Sequence, residues 1–168
     1  MKTVFRGPVF SIESGVTEEP GDVRARRDII RHSGSIAVLP VDEGGRITLV
    51  KQYRCAFACD MIELPAGRID GDETALRAAR RELREEVRLG ARRWERLGRI
   101  IPSPGFCDET VTIYRATSLF AKAGTRDPDE RITILHLPLS EALALVRRRR
   151  IEDAKTVVAL LLEARRTA

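Results

Sequence analysis

The feature that most constrains the fold is a helical stretch at residues 74–87, which carries an apolar face beside an acidic edge. Its apolar residues recur at spacings of three and four, the period of one face of an α-helix. They are Leu76, Ala79, Leu83 and Val87. Asp72 or Thr74 is placed to cap the first turn, because a side-chain oxygen there accepts a hydrogen bond from a free amide. The stretch is therefore predicted to be a helix that packs one face on a core.

Three glutamates lie beside that apolar face. Glu82 and Glu86 are four residues apart, so their side chains stack on one side of a helix, and Glu85 projects next to them. Like charges this close repel by roughly a few tenths of a kcal/mol per pair, and by more when buried, unless a cation lies between them. Carboxylate oxygens suit Mg²⁺ or Mn²⁺. The alternative is a solvated face, because arginines alternate with these glutamates.

The wider pattern favours the metal site, because residues 67–89 resemble the Nudix box, G-x5-E-x7-R-E-U-x-E-E-x-G-U with U an aliphatic residue. Eight of the nine specified positions match. They are Gly67, Glu73, Arg81, Glu82, Leu83, Glu85, Glu86 and Leu89. Arg88 stands where the motif has its second glycine. Because that glycine normally ends the helix in the left-handed conformation, its replacement predicts a helix that runs longer here.

The resemblance implies a role for each matching residue. Two carboxylates would be the main metal ligands and a third a secondary one, with a backbone carbonyl beside them. These ligands are Glu82 and Glu86, then Glu85, and the carbonyl of Ala66. Other residues of the box would brace the loop and the helix against each other. They are Gly67, Glu73 and Arg81. The cofactor that this implies is Mg²⁺ or Mn²⁺.

A loop before the last predicted strand carries further acids. Glu130 aligns with another metal ligand of the family, but the usual general base, two residues earlier, falls on Pro128, which cannot accept a proton. Asp127, Asp129, Glu130 or Glu85 must then substitute, and Glu130 and Glu85 are preferred. The predicted catalytic residues are Glu85, Glu86 and Glu130.

Segments outside the box are similar to the ADP-ribose pyrophosphatase branch of the family. Residues 63–67 match the approach to its box, and residues 103–109 resemble a signature loop. Arg54, at a strand end, looks like the phosphate-binding arginine of this branch, since a guanidinium grips a phosphate through two hydrogen bonds. The predicted substrate-binding residues are Arg27, Asp28, His32, Arg54, Arg68, Ser103 and Glu109.

The rest of the chain reads as strands and two closing helices. The predicted strands are residues 9–12, 28–32, 35–41, 46–53, 94–101, 110–120 and 132–137. The first two form an N-terminal antiparallel region, and the third and fourth form a hairpin around Gly44 and Gly45. Ser140 and Asp153 are placed to cap the closing helices. This composition of elements predicts an α+β fold, and the resemblance implies a Nudix α/β/α sandwich with a mixed central sheet.

Length and composition narrow the class of protein. A chain of 168 residues with 43% hydrophobic residues buries one core, which predicts a single domain over residues 1–168. Neither a long apolar run nor a signal peptide is visible, so a cytoplasmic protein is predicted. The three cysteines lack the pairing of a disulfide or zinc framework. The 30 basic and 25 acidic residues are spread along the chain, which makes a nucleic-acid partner unlikely in spite of the net charge of +5.

The resemblance implies hydrolysis of the pyrophosphate bond of a nucleoside-diphosphate sugar. ADP-ribose is the leading substrate, with AMP and ribose 5-phosphate as products, and GDP-mannose or another nucleotide sugar is the alternative. A second alternative is a nucleotide-binding regulator with weak catalysis, motivated by Arg88 and Pro128. The family resemblance also implies a homodimer that exchanges its N-terminal strands, about residues 1–33.

Overall fold

A computed structural model of the protein describes residues 1–125 and 131–167. This part of the chain contains ten strands and three helices. The strands are β1 (Lys2–Arg6), β2 (Phe10–Glu19), β3 (Val23–His32), β4 (Ser35–Pro40), β5 (Arg46–Arg54), β6 (Cys59–Glu63), β7 (Ala66–Arg68), β8 (Leu89–Ile100), β9 (Val111–Ala121) and β10 (Ile132–Pro138). The helices are α1 (Ala75–Val87), α2 (Leu139–Arg147) and α3 (Ala154–Thr167). Strands β1, β6 and β7 have no counterpart in the elements predicted from sequence.

The N-terminal strands form a separate antiparallel sheet in the order β1-β2-β3. The sequence predicted this sheet, although β2 and β3 are longer than expected and pair from Phe10 with His32 to Glu19 with Val23. The end of β3 is joined to the remainder of the protein through Ile30, whose amide donates to the carbonyl of Phe106 over 2.8 Å. The N-terminal sheet therefore sits beside the loop at residues 103–109.

A mixed four-stranded sheet in the order β7-β4-β9-β8 is the centre of the fold. Strands β4 and β9 run parallel, and the other neighbouring strands are antiparallel. Because successive side chains of a strand point to opposite faces, Ile36 and Val38 pack with α1, while Ala37 and Leu39 pack with α2 and α3. Helices thus cover both faces of the sheet, and the predicted α/β/α sandwich is confirmed.

The predicted hairpin of β4 and β5 is wrong. Strand β5 lies in a second sheet, in the order β10-β5-β6, and meets the end of β4 only at a bridge between Val41 and Ile47. The turn itself forms, since the amide of Gly45 donates to the carbonyl of Asp42 over 3.1 Å. Both edges of β4 are occupied by β7 and β9, so the chain must pass to the other sheet at this turn.

The two ends of α1 test two predictions made from the sequence. Thr74 is the residue that caps the first turn, because its hydroxyl oxygen accepts from the amide of Arg77 over 3.3 Å. The helix does not run longer than the motif requires: it ends at Val87, and Arg88 itself takes the left-handed conformation with φ 57° and ψ 37°. That conformation costs a residue other than glycine about 1–2 kcal/mol, and it is needed because β8 begins at Leu89.

The two closing helices are present, but they begin differently. The expected cap at Ser140 is wrong, since α2 begins at Leu139 after Pro138, which makes no side-chain capping hydrogen bond. A proline before the first turn has its φ already fixed in a range that suits this position. Asp153 does cap α3, because its carboxylate accepts from the amide of Thr156 over 3.0 Å. Among the described residues, no helix is both long and apolar enough to cross a membrane.

Candidate active site

The acidic edge of α1, which consists of Glu82, Glu85 and Glu86, is partly buried against the central sheet. Glu82 is 9% exposed and Glu86 is 2% exposed. The apolar face of α1 fixes their place, since Ala79, Leu83 and Val87 pack in the core under this edge. Carboxylates at this depth are costly unless positive charge or hydrogen-bond donors surround them. The edge is therefore a rigid, strongly acidic feature.

Arg81 supplies positive charge to the acidic edge. Its Nη1 lies 2.6 Å from Glu82 Oε1 and 3.3 Å from Glu85 Oε2. Its Nη2 donates to Glu73 Oε1 over 2.7 Å and to the carbonyl of Arg68 over 2.9 Å. The hydrogen bond with Glu73 raises the pKa of Arg81, and the same bond lowers the pKa of Glu73 below its ordinary value. One guanidinium thus joins the loop before α1 to two carboxylates of the acidic edge.

Gly67 lets the chain pass close to Glu82. A Cβ atom at Gly67 would lie 1.9 Å from Glu82 Oε1 and 2.2 Å from its Cδ, far inside contact distance. The glycine is therefore required by close approach, since the space of a side chain there is filled by a carboxylate. Strand β7 and helix α1 meet at this point.

The segment at residues 64–66 is held by hydrogen bonds from three different elements. Its first amide donates to Thr156 Oγ1 of α3 over 2.8 Å. Its middle carbonyl accepts from the amide of Val38 in β4 over 2.8 Å. Its last amide, that of Ala66, donates to Glu86 Oε2 of α1 over 3.2 Å. The position of Ala66 relative to the acidic edge therefore depends on α3 as well as on α1.

We expect Thr156→Val to lower the free energy of unfolding by about 1–3 kcal/mol, because the buried amide of Leu64 loses its acceptor. Urea denaturation followed by circular dichroism measures this change. Thr133→Val is a matched control, since it makes the same substitution at an exposed position of β10. Its expected effect is within about 0.5 kcal/mol. Equal effects of the two substitutions would contradict the role given to the Thr156 hydroxyl.

Arg54, Glu63 and Lys155 form a second charged group, which we call the Glu63 triad. Glu63 is 2% exposed. Arg54 donates to it through Nε over 2.6 Å and through Nη2 over 2.8 Å, and Lys155 Nζ lies 2.6 Å from Oε2. Burial by itself would raise the pKa of Glu63, but the hydrogen bonds and charges of Arg54 and Lys155 outweigh it and hold the pKa below its ordinary value. Glu63 is thus a buried carboxylate with two cationic partners.

A cavity of about 420 Å³ is lined by Glu82 and Glu85 of the acidic edge and by Arg54 of the Glu63 triad, but not by Glu86 or Glu63. Its lining residues are Val9, Arg54, Ala66, Gly67, Arg68, Asp70, Arg81, Glu82 and Glu85. Seven of these were predicted as site residues from the sequence, and Val9 and Asp70 were not. A larger cavity of about 580 Å³ lies between the β5–β6 turn and the start of α3, near Phe57 and Arg149. We assign the candidate site to the smaller cavity because it contains the carboxylates.

Other predicted substrate-binding residues lie outside this cavity. Arg27 and Asp28 are on the N-terminal sheet, where Arg27 pairs with Glu19 over 2.8 Å. His32 and Glu109 are neighbours, with 4.0 Å between Nδ1 and Oε1. Glu109 accepts from the hydroxyl of Ser35 over 2.7 Å, and the carbonyl of Ser103 accepts from the amide of Cys107 over 3.0 Å. His32 and Glu109 thus lie together where the end of β3 meets the 103–109 loop, while Arg27 and Asp28 lie in the middle of β3.

Glu130 and its neighbours Asp127, Pro128 and Asp129 lie outside the described residues. The predictions that concern them remain predictions. Four residues at or near the site were not predicted as site residues. Asp70 lines the cavity, Glu63 pairs with Arg54, Lys155 pairs with Glu63, and Thr156 accepts from the amide of Leu64. One signal was available for Glu63, because a lone acid beside apolar residues at positions 61–64 is typical of a buried, paired carboxylate.

The oxygen donors around the cavity suit a hard divalent cation. They are the carboxylates of Glu82 and Glu85 and the backbone of Ala66, which line the cavity, and the carboxylate of Glu86, which does not line it but accepts from the amide of Ala66. Across residues 1–125 and 131–167, no three His, Cys, Asp or Glu side chains are arranged as a ready metal site. Arg81 accounts for the absence of such a ready site among these residues, since its Nη1 pairs with both Glu82 and Glu85. The donor set fits a metal, provided that Arg81 yields these oxygens to it.

Comparison with known proteins gives consistent matches. A family model described as NUDIX domain matches residues 31–160. The chain is 35% identical over 159 residues to the methanol dehydrogenase activator of Bacillus methanolicus, covering 94% of this chain and 86% of the relative. The ADP-ribose pyrophosphatase of Bacillus subtilis (strain 168) gives the same identity and coverage.

A more distant relative and a solved structure extend the match. The GDP-mannose pyrophosphatase of Citrobacter koseri is 32% identical over 161 residues, covering 89% of this chain and 84% of the relative. A solved structure of an ADP compounds hydrolase superposes with a TM-score of 0.84 at 27% identity, covering 98% of this chain and 89% of that chain. The similarity therefore extends over nearly the whole chain.

Proposed function

Because the chain belongs to the NUDIX family, we propose that it hydrolyses the pyrophosphate bond of ADP-ribose to AMP and ribose 5-phosphate. The chain is a Nudix pyrophosphohydrolase, and it resembles ADP-ribose pyrophosphatases. The observation that carries the proposal is the cavity that Glu82 and Glu85 of α1 line together with Arg54 and Arg81. A site of this kind offers both anionic oxygens for cations and cations for phosphates.

Residues in and beside the cavity have the following proposed tasks. Glu82 and Glu86, with the carbonyl of Ala66, hold divalent metal, and Glu85 is a further ligand. Arg54 binds a phosphate, supported by its position on the cavity wall and by the fork geometry of its guanidinium. Arg68 lines the same cavity and contributes positive charge to the diphosphate. Arg81 also donates to Glu73. This contact keeps the loop before α1 attached to the helix when Arg81 releases the metal ligands.

Enzymes of the family generally use divalent metals, and we propose Mg²⁺ or Mn²⁺ for this one. A bound metal would neutralise charge on the phosphoryl group and lower the pKa of the attacking water. The protein side chains hold the substrate in line for that attack. Glu85 and Glu130 are the candidates for accepting the proton of the water; Glu85 lines the cavity, and Glu130 lies outside the described residues.

The N-terminal sheet supports a proposal about assembly. Apolar side chains on it are exposed, among them Val4, Phe5 and Val16. We propose a single-domain protomer over residues 1–168 that forms a homodimer through this sheet, which would cover these side chains. Arg27 and Asp28 would then contact the substrate bound to the partner subunit, which is consistent with their distance from the cavity of their own protomer.

A GDP-mannose pyrophosphatase is the second candidate, favoured by the 32% identity with the Citrobacter koseri enzyme. The third candidate, a nucleotide-binding regulator with weak catalysis, was motivated partly by Arg88. The structure weakens this argument for a regulator, because Arg88 adopts the left-handed conformation that the motif's glycine normally takes. The three glutamates before Arg88, which are Glu82, Glu85 and Glu86, all lie on α1 as the motif requires.

We expect ADP-ribose to be hydrolysed faster than GDP-mannose in the presence of Mg²⁺ or Mn²⁺, with AMP and ribose 5-phosphate as the products. A panel of ADP-ribose, GDP-mannose, NADH and ATP, with products separated by anion-exchange chromatography, measures this. Preferred formation of GMP and mannose 1-phosphate would favour the second candidate. Nucleotide binding without metal-dependent turnover would favour the regulator.

A further inference from the structure

In the Glu63 triad one carboxylate is paired with two cations, one of which it shares with Asp153. Glu63 Oε1 accepts from Arg54 Nε, while Oε2 accepts from both Arg54 Nη2 and Lys155 Nζ. Lys155 is also 2.8 Å from Asp153 Oδ1. The two cations differ in position: the side chain of Arg54 is 40% exposed and lines the cavity, while that of Lys155 is 17% exposed and is not part of the lining. Only Arg54 is therefore in a position to meet a substrate.

The bidentate contact with Glu63 occupies one of the two forks of the guanidinium that would bind a phosphate. Arg54 donates both Nε and Nη2 to this carboxylate, which are the two donors of one fork of its guanidinium. To grip a phosphate through that fork, Arg54 must release Glu63. A buried carboxylate left without a cation is strongly unfavourable, so the release would be costly if Arg54 were the only partner.

We propose that Lys155 is a positioning residue that keeps Glu63 neutralised while Arg54 turns from Glu63 to the diphosphate of the substrate. This inference rests on the proposed function, since it takes a nucleoside diphosphate as the ligand of the cavity. Lys155 is well placed for the task because Asp153 and Glu63 hold its ammonium at the start of α3, away from the cavity. Substrate affinity is therefore tuned by a lysine that does not contact the substrate.

The variant that tests the proposal is Lys155→Met, which keeps the length of the aliphatic side chain and removes its charge. Arg54 then becomes the only cation that pairs with Glu63 among the contacts described above. We expect KM for ADP-ribose, and Kd for its non-hydrolysable α,β-methylene analogue, to rise by about tenfold or more, the equivalent of one charged hydrogen bond. The value of kcat should change by less than about threefold, because the bound state is the same.

Two further variants separate this effect from simple damage to the fold. Glu63→Gln removes the charge that retains Arg54, so the double variant Glu63→Gln with Lys155→Met should return KM and Kd to within about threefold of the wild-type values. Lys51→Met is the matched control. It removes a lysine that pairs with Asp60 over 2.9 Å on the exposed side of the same β5–β6 hairpin, and it should leave both constants unchanged.

The outcomes are distinct. An unchanged KM and Kd in Lys155→Met would overturn the proposal, as would a tenfold rise that Glu63→Gln fails to reverse or a loss confined to kcat. Thermal unfolding of each variant shows whether it is folded. Binding of the analogue is measured without turnover, so the ratio of Kd values tests the role of Lys155 even if the wild-type chain binds ADP-ribose and does not cleave it, a result that would contradict only the proposed function.

Discussion

Glu86→Gln is expected to lower kcat for ADP-ribose by at least about a hundredfold, since even residues that only orient a metal ligand cost 10–100-fold when they are replaced. Glu86 is 2% exposed and faces the segment that presents the carbonyl of Ala66. An amide of the same shape still accepts the hydrogen bond from the amide of Ala66, but it lacks the charge that a divalent metal requires of its ligand. Initial rates at saturating Mg²⁺ or Mn²⁺ measure the loss.

The fold of this variant should survive, because a neutral amide relieves the repulsion among the glutamates of α1. Thermal unfolding is expected to occur at the wild-type temperature or above it. Glu95→Gln makes the same chemical change at an exposed position of β8, where Glu95 pairs with Arg166 over 2.6 Å. It should keep full activity. Retention of more than half of the turnover in Glu86→Gln would contradict the metal role of this residue.

Gly67→Ala is the second substitution for which we expect a large effect. The added methyl would lie 1.9 Å from Glu82 Oε1, so either β7 or the carboxylate must move. We expect turnover to fall by about 10–100-fold, as for other displacements of metal ligands, and the free energy of unfolding to fall by about 1–3 kcal/mol from overpacking. Steady-state kinetics and urea denaturation of the same preparation measure the two effects.

The control for this substitution is Gly98→Ala. A Cβ at Gly98 would have its nearest neighbour, Leu162 Cδ1, at 4.0 Å, which is ordinary contact distance. The substitution therefore adds the same methyl to a strand without touching the cavity, and it should leave turnover unchanged. Full turnover in Gly67→Ala would contradict the claim that turnover depends on the position of Glu82 beside Gly67.

The central helix was predictable because its signals are local. Spacing of Leu76 and Leu83 in the sequence indicates one apolar face, and the cap at Thr74 follows from hydrogen bonding within one turn. The membership of β4 and β5 in different sheets was not predictable, because it depends on which strands occupy the edges of β4, and those strands are distant in sequence. The short strand β7 is visible only through its pairing with β4.

The candidate site likewise has one part that was predictable from the sequence and one part that was not. The acidic edge lies on one helix, so its geometry follows from residue spacing alone. The Glu63 triad joins β5, β6 and α3. Glu63 and Lys155 are 92 positions apart in the sequence, and no pattern within either segment reveals their pairing. Arg88 shows a further limit: the missing glycine predicted a longer helix, but the need to begin β8 at once imposes the left-handed turn on an arginine.

The central claim is that the acidic edge of α1 holds divalent metal against a bound diphosphate. The most direct measurement is a crystal structure with Mn²⁺ and α,β-methylene ADP-ribose, in which anomalous scattering locates the metal. We expect a manganese peak bounded by Glu82, Glu86 and the carbonyl of Ala66, with the analogue's phosphates beside it and Arg54. A bound analogue with no manganese at these oxygens, and with Glu82 still paired to Arg81, would contradict the claim.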